Sequence, residues 1–143
     1  MMSNSPLPTP APFVSVETEP YWSGAKAGKL VLPHCRACDH TIWYPKAFCG
    51  ECGAFDVEWR EASGLGTLYS FTQVFRGEGP YRECASFVLA LVDLDEGARV
   101  LTNIVDADPA GLAVGQRLRA VFHDAGEAAA LVRFTPIPTS SDT

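Results

Sequence analysis

Cys35-Arg-Ala-Cys38 and Cys49-Gly-Glu-Cys52, separated by ten residues, form the stretch from which the rest of the chain is read. Each Cys-x-x-Cys supplies two thiolates from one tight turn, and the residues between allow an out-and-back hairpin. Four convergent sulfurs suit a tetrahedral metal, zinc before others. The residue after each second cysteine should accept a left-handed backbone, so that amides can point at the sulfurs. Gly53 does so without steric cost, and Asp39 is among the few other residue types that manage it. The expected site is therefore Cys35, Cys38, Cys49 and Cys52 around one ion.

Four thiolates leave no open coordination position, so such a zinc ion holds structure and does not turn over substrate. Two other readings stay open. Two disulfides would need an oxidising compartment, and no signal-peptide pattern is seen. A rubredoxin-type iron centre uses similar spacing and would make the protein an electron carrier. Five cysteines without an export signal point to a reducing cytoplasm.

The 143 residues give room for one ordinary domain, or for a small module beside a compact one. Apolar content of 47% supports a real core. No run of about 18 apolar residues exists, so no membrane span is expected. Lys and Arg number 11 against 17 Asp and Glu, a formal net charge of −6. That is a poor balance for gripping a polyanion, although it leaves room for a local basic pocket.

Upstream of the cysteines, Pro6, Pro8, Pro10 and Pro12 mark residues 1–17 as a flexible extended arm. Residues 18–30 read as a helical segment. Thr18 is the expected cap, Glu19 and Pro20 suit the first turn, and Gly28 can end it. Tyr21, Trp22 and Ala25 form its apolar stripe, which packs on its own domain or helps form a partner or ligand surface. Residues 31–56 make the ribbon: Leu30-Val31-Leu32 leads in as a strand, Thr41–Tyr44 reads as another, and Trp43, Tyr44 and Phe48 are expected to cover the metal. Such a module buries little core, so metal binding supplies folding energy, on the order of 10–16 kcal/mol for isolated zinc peptides.

Residues 57–138 read as a barrel. Gly64 and Gly66 suggest a bulge or sharp bend. Strands follow at Thr67–Arg76, Cys84–Val92, Ala98–Val105, Arg117–His123 and Ala128–Phe134, with a hairpin turn at Asp93–Gly97. Five short strands with almost no helix predict a mainly β fold closing as a five-stranded antiparallel OB-like barrel. Residues 139–143 are a loose tail.

In this order, the elements resemble the DUF35 group of zinc-ribbon/OB-fold proteins. The resemblance rests on Pro20-Tyr-Trp-Ser-Gly24 with Gly28-Lys-Leu30, on both knuckles with Tyr44-Pro45 between them, and on Gly66-Thr-Leu-Tyr-Ser-Phe-Thr72. Gly79-Pro-Tyr81, Val92-Asp-Leu-Asp-Glu-Gly97, Val114-Gly115 and Phe134-Thr-Pro136 extend it over about residues 19–138. One departure is Asp39, where glycine is more usual. The resemblance implies an accessory role. Members pair with thiolase-like enzymes, including the lipid-transfer-protein or sterol-carrier-protein type of thiolase or aldolase in sterol side-chain degradation, or with hotdog-fold enoyl-CoA hydratases. The partner then carries the catalytic residues, and the small protein helps complete an acyl-CoA site or holds the complex together.

No catalytic residue is expected in the chain itself. His34 and His40 abut the first knuckle and suit a supporting or solvated role, and His123 has no nucleophile at motif spacing. Cys84 reads as a small hydrophobe within a strand. Asp93, Asp95 and Glu96 sit where a hairpin turn wants them. The loop Arg76-Gly-Glu-Gly-Pro-Tyr-Arg82 holds the remaining ligand or partner candidates, Arg76, Tyr81 and Arg82. Arginine forks and a stacking ring could meet a pyrophosphate and adenine, although a plain solvated loop carries the same residues. A single-stranded nucleic-acid module is the competing class. Tyr69, Phe71 and Phe75 could serve as stacking platforms, but the basic groove is missing.

Overall fold

The computed structural model describes residues 7–138. Helix α1 spans Glu19–Lys26 and ends where Gly28 turns left-handed at φ 80°. It is shorter than residues 18–30, and Thr18 makes no side-chain cap to it. The Thr18 hydroxyl instead lies 3.0 Å from that of Ser15 and accepts from the Ser15 amide, so it fastens the preceding turn. Tyr21, Trp22 and Ala25 are buried as one stripe.

β1 (Val31–Cys35) pairs antiparallel with β2 (Val57–Glu61), Cys35 opposite Val57. The expected strand at Thr41–Tyr44 reduces to a single bridge between Thr41 and His34. Cys35 N donates to His40 O and Ile42 N to Pro33 O. The next rung needs an amide from Pro33, which has none, so the ladder stops there.

β3 (Leu65–Val74), β4 (Phe87–Leu94), β5 (Arg99–Ile104), β6 (Arg117–Asp124) and β7 (Ala130–Pro136) form a closed barrel in the order β3-β4-β5-β7-β6. The barrel is mixed, not antiparallel throughout: β5 and β7 run parallel, with Ile104 beside Phe134. A ring with an odd number of strands cannot alternate direction all the way round, so one parallel pair is forced. The register shift in β3 falls between Leu68 and Ser70, not at the glycines. Gly64 supplies a bend at φ 79°, and Gly66 lets two strands close up. A Cβ at Gly66 would stand 2.7 Å from Val92 Cγ1 and 2.8 Å from the Asp93 carbonyl. β4 begins at Phe87, so Cys84 sits half-buried in the preceding turn and not in a strand.

Inward residues alternate along the strands: Val88, Ala90, Val92 and Leu94 on β4, Val100 and Ile104 on β5. Tyr21, Trp22, Leu30 and Leu32 join the same cluster, so helix, ribbon stem and barrel share one core. The flexible arm expected at 1–17 is tied down where it is described. Arg133 Nη2 donates to the Pro8 carbonyl at 2.7 Å, Val14 packs on the core, and the Ala47 amide donates to Glu17 Oε2 at 2.7 Å. The remainder of that arm and the 139–143 tail lie outside the described residues.

Candidate metal centre and its surroundings

Cys35 ends β1 and Cys38 follows in the turn; Cys49 and Cys52 come from the second turn. The four sulfurs lie within 4.8 Å of one another. Cys35 Sγ is 3.6 Å from Cys52 Sγ, and Cys38 Sγ is 3.6 Å from Cys49 Sγ. A tetrahedron with metal–sulfur bonds of about 2.3 Å has edges near 3.8 Å, so the donor set fits a tetrahedral ion. A disulfide needs about 2.0 Å, and all four thiols are free.

The turns are built alike. Asp39 stands at φ 68° and Gly53 at φ 79°, the left-handed positions expected of them. The Asp39 amide donates to the Cys35 carbonyl and the Gly53 amide to the Cys49 carbonyl, each at 2.8 Å. The Glu51 amide also donates to Cys49 Sγ at 3.4 Å. The Cys52 and Glu51 amides facing this sulfur lower its pKa to about 7, favouring the thiolate a metal binds. Cys35 and Cys49 are buried, and Cys38 and Cys52 are exposed.

The lid over the sulfurs is Ile42 with Ala54 and Val57, and not the aromatics expected there. Trp43 packs on the main core with its ring 5.6 Å from that of Tyr21, while Tyr44 and Phe48 are exposed. The larger core takes the larger ring. His34 is buried with Nε2 2.6 Å from Asp39 Oδ1, bracing the first turn from outside the donor set.

Tyr21 and Trp22 are buried within the chain and offer no surface. Burial raises the Tyr21 phenol pKa, so it stays neutral. A cleft bordered by Tyr21, Leu30, Trp43 and Phe134 encloses about 10 Å³, room for a water and nothing larger. Arg76 and Arg82 are exposed, flanking a 3-10 turn at Gly79–Tyr81. Tyr81 lies between them and is fixed from two sides: Arg133 Nη2 donates to its hydroxyl at 3.1 Å, and its ring centre is 5.3 Å from that of Phe87.

Arg133 itself is absent from the sequence reading. It is 1% exposed, and its guanidinium reaches Tyr81, the Pro8 carbonyl and His123 Nδ1, the last at 3.0 Å. Burial and then this neighbouring cation push the His123 pKa down. The only local signal was an arginine inside the apolar run Ala130–Phe134. The turn carboxylates are occupied within the chain. Asp93 pairs with Arg99, Asp95 takes both arms of Arg117 at 2.8 Å, and Glu96 accepts from the Ser63 amide. The Arg117 fork holds the Asp95 pKa below the usual carboxylate value.

A family model described as the ChsH2 rubredoxin-like zinc ribbon domain matches residues 22–58, and one described as the ChsH2 C-terminal OB-fold domain matches residues 59–123. A DUF35 domain-containing scaffold protein of Methanothermobacter thermautotrophicus is 31% identical over 94 residues, 65% of this chain and 71% of that protein. The chain belongs to the DUF35 family. This DUF35 chain also overlays a chain of the Ltp2-ChsH2(DUF35) aldolase with a TM-score of 0.76 at 31% identity, covering 87% of itself and 98% of that chain. A probable enoyl-CoA hydratase alpha subunit of Thermomonospora curvata is 34% identical over 106 residues, 74% of this chain. The DUF35 chain spans only 33% of that relative's length. Among the described residues no helix is long and apolar enough to cross a membrane.

Proposed function

We propose that this chain is a non-catalytic subunit of an acyl-CoA-processing enzyme. Its partner is a thiolase-like subunit of the lipid-transfer-protein or sterol-carrier-protein thiolase or aldolase type, acting in lipid or sterol side-chain metabolism. One observation carries the reading: the best-built site is a closed four-sulfur centre, on a chain whose fold covers 98% of a chain of an aldolase. A closed centre offers no position for substrate, so the chemistry belongs elsewhere. Bound zinc supplies a structural crosslink, and Cys35, Cys38, Cys49 and Cys52 hold it.

In this reading acyl-CoA meets the loop from Arg76 to Arg82. The two arginines face its phosphates, and Tyr81, steadied by Arg133, faces the adenine. A second reading, a subunit of a hotdog-fold enoyl-CoA hydratase, is favoured by the 34% identity to a hydratase alpha subunit. A single-stranded nucleic-acid role is disfavoured, because Arg99 and Arg117 are paired to carboxylates and Arg99 already covers the Tyr69 ring at 3.5 Å.

The test is affinity purification of the tagged full-length chain from its native cells, with metal analysis. The expected result is a thiolase-like subunit and about one zinc per chain. A hydratase-like subunit would select the second reading. Nucleic acid, or iron in place of zinc, would contradict both.

A further inference from the structure

Arg133 stands on the outer face of β7, where an arginine is ordinarily solvated. Phe134 beside it points into the core, and Val121 of β6 lies opposite it. It is nevertheless 1% exposed. Two segments far apart in sequence meet over it. One is the strap of residues 7–14, which runs from Pro8 past Ala11 beside Gly126. The other is the loop of residues 75–86 between β3 and β4. Arg133 Nη2 donates to the Pro8 carbonyl at 2.7 Å and to the Tyr81 hydroxyl at 3.1 Å, so both of its hydrogens are used. Nη1 donates to His123. These acceptors are neutral, and Arg133 enters no ion pair among the described residues.

Neither segment has a comparable polar hold of its own. Pro8, Pro10 and Pro12 have no N–H, and among the described residues no backbone–backbone hydrogen bond is made by residues 7–14. Among those residues the strap is held by the Pro8 carbonyl at one end and by Val14 on the core at the other. In the loop, the Tyr81, Arg82 and Cys84 amides all donate within their own turn. A Cβ at Gly77 would stand 2.5 Å from the Tyr81 carbonyl, so the loop is folded onto Tyr81 and moves with it. Arg76 and Arg82 are matched in number by Glu78 and Glu83, all four exposed and without ion pairs among the described residues. Charge therefore does not hold the loop. Its ties to the strands are the Tyr81 hydroxyl, the Tyr81–Phe87 ring contact and one bond from Gln73 to Ser86.

A guanidinium shut away from water needs its acceptors, because leaving it short of them is costly. If either segment leaves, water reaches Arg133 and competes for the bond to the other. We propose that Arg133 is a latch: the strap and the Tyr81 loop lock and release together, and the strap sets whether Tyr81 is held in position. The coupling stands on these bonds alone. Its use in acyl-CoA binding rests on the reading above, in which Tyr81 faces the adenine and Arg133 acts as a positioning residue.

The test is nitrogen-15 relaxation of the full-length chain, giving backbone order parameters for wild type, Tyr81→Phe, Pro8→Gly, Arg133→Lys and Tyr69→Phe. Tyr81→Phe deletes only the hydroxyl on the loop side, and Pro8→Gly loosens only the strap. Arg133→Lys keeps a cation without the fork. Tyr69 lies on β3 beneath Arg99 and serves as the control. Zinc content and the amide shifts of β4 and β5 report folding. In Tyr81→Phe, order should fall at Thr9 and Ala11 as well as at Gly79 and Arg82, from about 0.85 to about 0.6 or below. Pro8→Gly and Arg133→Lys should give the same paired loss, and Tyr69→Phe none. Loss confined to the substituted segment in either Tyr81→Phe or Pro8→Gly would overturn the latch, as would a wild-type strap already below about 0.6. Coenzyme A binding to the complex purified with the tagged chain separates the coupling from its use. The expected loss in both variants is about fivefold, the scale of one net hydrogen bond. Unchanged affinity beside a paired loss of order would leave the latch standing and overturn the assignment of Tyr81 to acyl-CoA.

Discussion

At Asp39 and Gly53 one backbone requirement meets two different side chains. Both residues must turn left-handed for the knuckle to close, and both do. These positions were legible because the requirement is local: the chain four residues earlier sets it, and few residue types satisfy it. The sulfurs depend on one another in the same way. Cys49→Ser should take the metal content from about one ion per chain to near none, because three ligands no longer close the tetrahedron. Elemental analysis of purified protein checks this, and full retention would show that the site is not a four-thiolate centre. Gly66 is a second point of no tolerance. Gly66→Ala should cost about 1–3 kcal/mol, the usual range for overpacking, since its Cβ meets Val92 and the Asp93 carbonyl. A lowered urea midpoint with an unchanged slope is the expected signature. Arg133 was not legible, for the opposite reason. Its partners Pro8 and Tyr81 lie 125 and 52 residues away, and no local pattern announces that three distant segments will meet on one side chain.

Among the elements, the strands of the barrel could be read closely from alternation and turn residues, and the ribbon less so. Thr41–Tyr44 has the β-branched and aromatic composition of a strand, but Pro33 on the neighbouring strand withholds the amide that would extend it. Composition describes the segment itself, whereas pairing depends on its neighbour. The proline-rich segment shows the same limit. Its sequence favours extended backbone, and the structure adds anchors at Arg133, the core and Ala47. One of those anchors carries a pH dependence. Neutral His123 accepts from Arg133 Nη1, and its pKa is lowered from 6.5 by burial and by that cation. A lowered histidine pKa means that the unfolded chain takes up the proton first. The contribution is complete above 6.5 and is lost as pH falls from there through the folded value. Urea midpoints measured downward from about pH 8 should therefore decline below that value, and His123→Gln should flatten the decline. An unchanged slope in the variant would assign the decline to other groups.

For the whole molecule, a closed ring of five strands dictates its own parallel pair, and this is why a sequence of hairpins could suggest the barrel yet misstate its sense. The more consequential feature is the shared core. Leu30 and Leu32 of the ribbon stem and Tyr21 and Trp22 of α1 are buried with the barrel's own interior. All three tryptophans lie on this seam: Trp22 is buried, and Trp43 and Trp59 pack against the cluster. Stripping the metal with a chelator should red-shift tryptophan emission and lower the thermal midpoint while most strand signal in circular dichroism persists. Unchanged emission would mean that the ribbon unfolds without disturbing the seam. A chain organised in this way presents its loops from a rigid frame, with the turn carboxylates Asp93, Asp95 and Glu96 engaged internally. That organisation is consistent with the proposed role as a subunit that completes an enzyme. The measurement that tests this most directly is acyl-CoA turnover by the purified enzyme partner alone, by this chain alone, and by the two combined. The account predicts no turnover from the chain, weak turnover or none from the partner, and a rise of at least about tenfold on mixing, the scale of restoring one positioned contact. Turnover by the chain alone, or full activity of the partner without it, would contradict the account.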